Sequence, residues 1–113
     1  MTKFAIIGSL TFKNYEILKK ELDEYTDIEE IIIGDKQLIY DIAKKYADEN
    51  SIPCKVFPLN YKKYGREALV HRNIAMVEYC DKLIAFFNEI SKDTLNTIRL
   101  IQKSGKELNI VNI

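Results

Sequence analysis

Arg72-Asn73 is the pair in this chain best equipped to grip an anion. The guanidinium offers a planar fork for phosphate or carboxylate, and the neighbouring amide both donates and accepts. Just upstream, Tyr61-Lys62-Lys63-Tyr64-Gly65-Arg66 interleaves aromatic rings with bases, a mixture suited to stacking on a nucleobase beside a charge contact to its phosphate. His71 is the single histidine and the natural general acid or base, although a lone helical histidine is more often simply solvated. Ser91, Thr94 and Thr97 set three hydroxyls at the start of a helix whose first N–H groups are unpaired, next to Asn88 and the carboxylate of Glu89. Two short glycine turns complete the set. Gly8-Ser9 lets backbone approach a ligand, and Gly34-Asp35-Lys36-Gln37 offers a second turn with a lysine as counter-charge. Asp35 would compete with an anion there, so helix capping or a ribose contact suits it better.

These residues are held by a regular alternation. Phe4–Ile7, Ile28–Ile33, Cys54–Phe57, Lys82–Phe87 and Leu108–Ile113 are short apolar runs that read as strands. Between them lie amphipathic stretches. Tyr15, Leu18, Leu22 and Tyr25 share one face behind Asn14 as N-cap, and Ile39, Ile42, Ala43, Tyr46 and Ala47 share another. A third helix is expected from about Arg66 to Tyr79 with Val70, Ile74 and Val77 inward. A fourth is expected from Thr94 to Ser104, stopped by Gly105. The piece from Asn60 to Gly65 has no periodicity and reads as a loop. Runs apolar throughout are buried on both faces, and intervening helices imply right-handed parallel crossovers. The expectation is an α/β fold, a Rossmann-like open doubly wound parallel sheet of five strands with four flanking helices. In such sheets ligands sit beyond the carboxyl ends of the strands, where every candidate residue named above would fall.

Composition narrows the possible partners. At 113 residues the chain reads as one domain, and 17 basic against 17 acidic side chains give no net charge, which argues against nucleic acid held by the overall field. Charge is nonetheless segregated: residues 13–35 carry a net −5 and residues 55–72 a net +4. The two cysteines, Cys54 and Cys80, make neither a disulfide framework nor a metal motif. No apolar run is long enough for a membrane span, so the expectation is a cytoplasmic protein with no metal, cofactor or membrane partner.

Taken in order, Gly8-Ser9-Leu10-Thr11-Phe12, Lys63-Tyr64-Gly65, Arg72-Asn73-Ile74-Ala75-Met76, Asp81–Phe86 and Ser91–Thr97 resemble the motifs of the YspA-like branch of the SLOG superfamily. The resemblance implies a site for a nucleotide or nucleotide-derived signalling ligand, with Gly8, Ser9, Gly34, Tyr64, Arg72, Asn73, Asn88, Ser91, Thr94 and Thr97 as its lining. It also implies a homo-oligomer, and a protein of the kind a phage or mobile element could carry to sequester a host signal. Three positions depart from the pattern: Leu10 replaces an arginine, the second loop has lost two glycines and an acid, and Asp93 replaces a glycine. Such losses suit a binder better than an enzyme. The alternatives are an N-glycosidic-bond hydrolase with Glu89 or Asp35 as base and His71 as a further catalytic candidate, or a protein- or single-strand-binding module built on Tyr61–Tyr64.

Overall fold

A strand that is apolar on consecutive residues must be covered on both faces, which takes helices on each side of the sheet. The computed structural model meets that demand, and describes residues 2–9, 11–35, 38–87 and 92–113, with backbone only for 92–94. The strands are β1 (Thr2–Gly8), β2 (Ile28–Gly34), β3 (Cys54–Phe57), β4 (Lys82–Phe87) and β5 (Glu107–Asn112). They form one parallel sheet in the order β3-β2-β1-β4-β5. The flanking helices are α1 (Tyr15–Leu22), α2 (Leu38–Glu49), α4 (Ala68–Tyr79) and α5 (Lys92–Ser104), with a one-turn helix α3 (Tyr61–Tyr64) and a 3₁₀ turn (Gly65–Glu67) ahead of α4. The arrangement is the doubly wound, Rossmann-like α/β fold. Among the described residues no helix is long and apolar enough to cross a membrane.

Alternation along each strand divides the core in two. Phe4, Ile6, Ile31, Ile33, Ile84 and Phe86 point to the face covered by α1 and α2. Ala5, Ile7, Ile32, Leu83, Ala85 and Phe87 point to the face covered by α4 and α5. Burying each large aliphatic chain stabilises the fold by roughly 1.5–3 kcal/mol, so both layers matter. Helix ends follow local chemistry. Asn14 Oδ1 accepts the Ile17 N–H at 3.2 Å and starts α1. Gly105, at φ +78°, ends α5 in the left-handed region that suits glycine. Lys106 then donates its ammonium to the carbonyls of Val77 and Glu78 at 2.7 and 2.9 Å, closing the C-terminus of α4.

Two sequence expectations are corrected. The segment 60–65 is not a loop: Asn60 Oδ1 accepts the Lys63 N–H at 3.0 Å and nucleates a helical turn too short to show periodicity. Val70 does not face inward but is 47% exposed, because the buried stripe of α4 runs through Ala68, Arg72 and Met76 at intervals of four. Val77 is buried as expected, but the stripe also takes in a charged residue, Arg72.

Between α1 and α2 two phenols meet carboxylates. Tyr15 donates to Glu49, and the buried Tyr46 donates to Asp23 Oδ1 at 2.8 Å. Burial, reinforced by these acceptors, pushes Tyr15 up to about 12 and Tyr46 higher still. Unfolded phenols titrate near ~10, so this stabilisation is complete below that pH and is lost as the pH rises through the folded values. The urea midpoint should therefore fall between about pH 10 and 12. Tyr46→Phe should cost about 1 kcal/mol at neutral pH and flatten that decline. Parallel pH profiles for the two proteins would refute the assignment.

Candidate functional site

In a parallel doubly wound sheet the crevice for a ligand opens where the strand order reverses, beyond the carboxyl ends. Here that point lies between β1 and β4, where Gly8 pairs with Phe86. The Ser9 N–H extends the pairing by donating to the Phe86 carbonyl at 2.8 Å, and the Phe12 N–H returns to the Ser9 carbonyl at 3.0 Å. That turn lays Phe12 parallel on Phe86, with ring centroids 5.1 Å apart. A Cβ on Gly8 would lie 2.8 Å from Ile39 Cδ1, 3.2 Å from the Phe86 carbonyl and 3.3 Å from Phe12. The glycine therefore makes room for α2 and for the turn, and α1 starts only at Tyr15, its first turn already served by Asn14.

Arg72 is the centre of the carboxyl edge. Its side chain is 1% exposed, its Nη1 donates to the Asp35 carbonyl at 3.0 Å, and its Nε and Nη2 face Asn73 Oδ1 at 3.4 Å. The Asp35 carboxylate stands 4.0 Å from Nη1. A Cβ on Gly34 would lie 2.6–2.8 Å from the guanidinium, so the last residue of β2 has no side chain where the arginine lies. Asp35 does more than face this charge. Its Oδ1 accepts the Leu59 N–H at 2.9 Å, and its own N–H donates to the Phe57 carbonyl at 3.3 Å. Its carboxylate caps the loop after β3 and is a hydrogen-bonded structural acceptor.

On the β3 side of Arg72, Tyr64 and His71 stack with centroids 3.8 Å apart and planes 15° apart. Lys63 Nζ lies 5.2 Å from the Tyr64 centroid, and His71 Nε2 is 3.7 Å from Glu67 Oε2. With Phe57, Pro58, Asn60 and Arg72 this aromatic step borders a cleft of about 160 Å³. Across α4 the surface differs. Asn73, Asn96 and the buried Thr97 border an apolar groove of about 280 Å³ with Leu69, Ile74 and Leu100. The fold thus brings Tyr64, His71 and Arg72 to one cleft, sets Gly34 against the Arg72 guanidinium behind it, and leaves Asn73 and Thr97 bordering the groove across the helix.

Asn88, Glu89 and Ser91, with Leu10, Lys36 and Gln37, lie outside the described residues. Thr94 is placed on α5 by its backbone alone. Phe57, Pro58 and Asn60 were missed as lining residues, although Asn60 three positions before Lys63 is a recognisable cap. Cys80 is buried and Cys54 half-buried, and burial pushes both thiols up, away from the reactive thiolate. Among the described residues no three His, Cys, Asp or Glu side chains converge to hold a metal ion.

Gly8→Ala should destabilise the fold by about 1–3 kcal/mol through overpacking. Ile39→Val, which removes the nearest atom, should recover part of that loss in the double variant. Strict additivity in urea denaturation would show that Gly8 serves something other than this contact.

Comparison with protein-family models, curated proteins and solved structures finds no match to this chain.

Proposed function

We propose that the protein binds a nucleotide or nucleotide-derived ligand along the carboxyl edge of its sheet, across the cleft between α4 and the end of β3. The observation that carries this reading is the buried Arg72 guanidinium at the cleft wall, beside the half-buried Tyr64 stacked on the exposed His71. This fixed guanidinium contributes positive potential at the cleft, partly offset by the Asp35 carboxylate 4.0 Å away. Lys63 and Arg66 on the same exposed segment reinforce it, within the stretch that carries the chain's basic excess. The aromatic step offers a nucleobase a stacking surface.

At about 160 Å³ the cleft is smaller than the ~300–1,000 Å³ of sites that enclose a whole small molecule. It suits one ring or one phosphate, with the rest of the ligand lying along the rim toward Gly8. The resemblance of Gly8-Ser9 and Arg72-Asn73 to SLOG nucleotide-binding motifs supports the same reading. The reversal of strand order, where such folds take their ligands, lies between β1 and β4, at the Gly8 end of the rim along which the rest of the ligand would extend.

The test is a thermal-shift panel of mononucleotides, cyclic nucleotides and ADP-ribose derivatives. A ligand at a hundred times its dissociation constant should stabilise the protein by about 2.7 kcal/mol. Tyr64→Ala should weaken that ligand by about 1–3 kcal/mol while leaving the unliganded melting temperature nearly unchanged. Arg72 is too buried for its removal to be diagnostic. A panel with no stabilising member, or binding indifferent to Tyr64, overturns the proposal. Chromatography of the same mixtures for released base separates binding from N-glycosidic cleavage.

A further inference from the structure

The two edges of the sheet are not alike. β3 is four residues long, bracketed by Pro53 and Pro58, and carries Lys55 at its middle. Prolines, a lysine and short length are the means by which edge strands are kept from pairing with another chain. β5 has none of them. It runs six residues, Glu107–Asn112, without proline, and its one charged side chain is Glu107, whose Oε2 lies 3.4 Å from Lys82 Nζ. No described segment pairs with its outer side.

The direction of the free backbone groups follows from the parallel ladder. The Ile113 N–H donates to the Phe87 carbonyl at 3.2 Å, so the odd-numbered residues of β5 bond inward to β4. By alternation the N–H and C=O groups of Leu108, Ile110 and Asn112 point to the open edge. Ile110 is the middle of these three, 42% exposed as a residue, with its side chain on the α5 face of the sheet.

We propose that β5 pairs antiparallel with β5 of a second copy of this chain, about a two-fold axis perpendicular to the sheet at Ile110. In that register each outward residue exchanges both its bonds: Ile110 with its own counterpart, and Leu108 with Asn112 in both directions. A two-fold axis perpendicular to the sheet keeps each face on its own side. Ile110 therefore covers Ile110 on the α5 face, and Asn109 meets Val111 on the α1 face. The edge is self-complementary, which is what an isologous contact requires. A second copy also meets no electrostatic penalty, since the chain has zero net charge and Glu107 already has a cationic neighbour. The result is a continuous ten-stranded sheet whose two carboxyl edges, and the clefts on them, point in opposite directions.

Sedimentation of the full chain tests the pairing. The wild type should run as a dimer at micromolar concentration, and Ile110→Lys as a folded monomer by sedimentation and circular dichroism. Residues directly opposite in a bonded antiparallel pair have Cα atoms about 5.5 Å apart, within the roughly 4.4–6.8 Å that a disulfide spans. Ile110→Cys should therefore form a covalent dimer on mild oxidation. Asn112→Cys, opposite Leu108, and the wild type with Cys54 and Cys80 should not. A wild type that stays monomeric overturns the proposal. So does a dimer untouched by Ile110→Lys, which would place the contact elsewhere, or crosslinking through Asn112→Cys as efficient as through Ile110→Cys.

Discussion

A guanidinium buried at the end of a parallel sheet is the constraint around which the carboxyl edge is arranged. Removing that charge from water costs several kcal/mol unless hydrogen bonds and a nearby carboxylate replace its hydration. The chain provides a backbone carbonyl from Asp35, the amide oxygen of Asn73 and the Asp35 carboxylate. It also provides a glycine at position 34, because a larger residue would occupy the guanidinium's place. The loop after β3 is tied in as well, through the bond from the Leu59 N–H to Asp35. One side chain of α4 thus fixes the ends of two strands, and the aromatic step of Tyr64 and His71 is built on the ground so fixed.

The same arrangement separates two jobs that adjacent residues might have shared. Arg72 points toward β2, whereas Asn73, about 100° further round an α-helix, borders the groove toward α5. The edge therefore has a polar, aromatic side and an apolar side, divided by α4. The charge segregation along the sequence has a structural counterpart. Several acids of the 13–35 stretch are committed as acceptors: Asp23 to Lys19 and Tyr46, Asp27 to Thr2, and Glu30 to Tyr79. The bases at 62, 63 and 66 stay exposed beside the cleft.

The sheet was legible because its signal is long and redundant: five apolar runs, four amphipathic stripes, and caps at Asn14 and Gly105 that behave as their types dictate. The site was less so. Gly8 and Gly34 read as places for a ligand, yet each is glycine because another part of the protein fills the space, Ile39 and Phe12 at one and Arg72 at the other. Nothing local distinguishes a glycine cleared for a ligand from one cleared for a neighbour distant in sequence. Val70 was read as inward for a related reason. Hydropathy ranks valine as the inward residue, but a buried arginine is admitted by partners at position 35 that no helical period reveals.

The central position of β1 has a consequence for how the chain assembles. β1 can pair with β2 as soon as residues 28–34 exist, but its other side waits for β4 at residues 82–87. Its junction with β4 is made by Asp81, whose N–H donates to the Lys3 carbonyl while its carboxylate accepts the Lys3 N–H. Closing a loop of that length is entropically slow, and such non-local pairing governs the folding rate. On the ribosome, the β1–β3 half with α1 and α2 can form first and must hold a bare apolar strand edge until β4 emerges. The order of synthesis then makes β4 the strand that commits the chain to its fold.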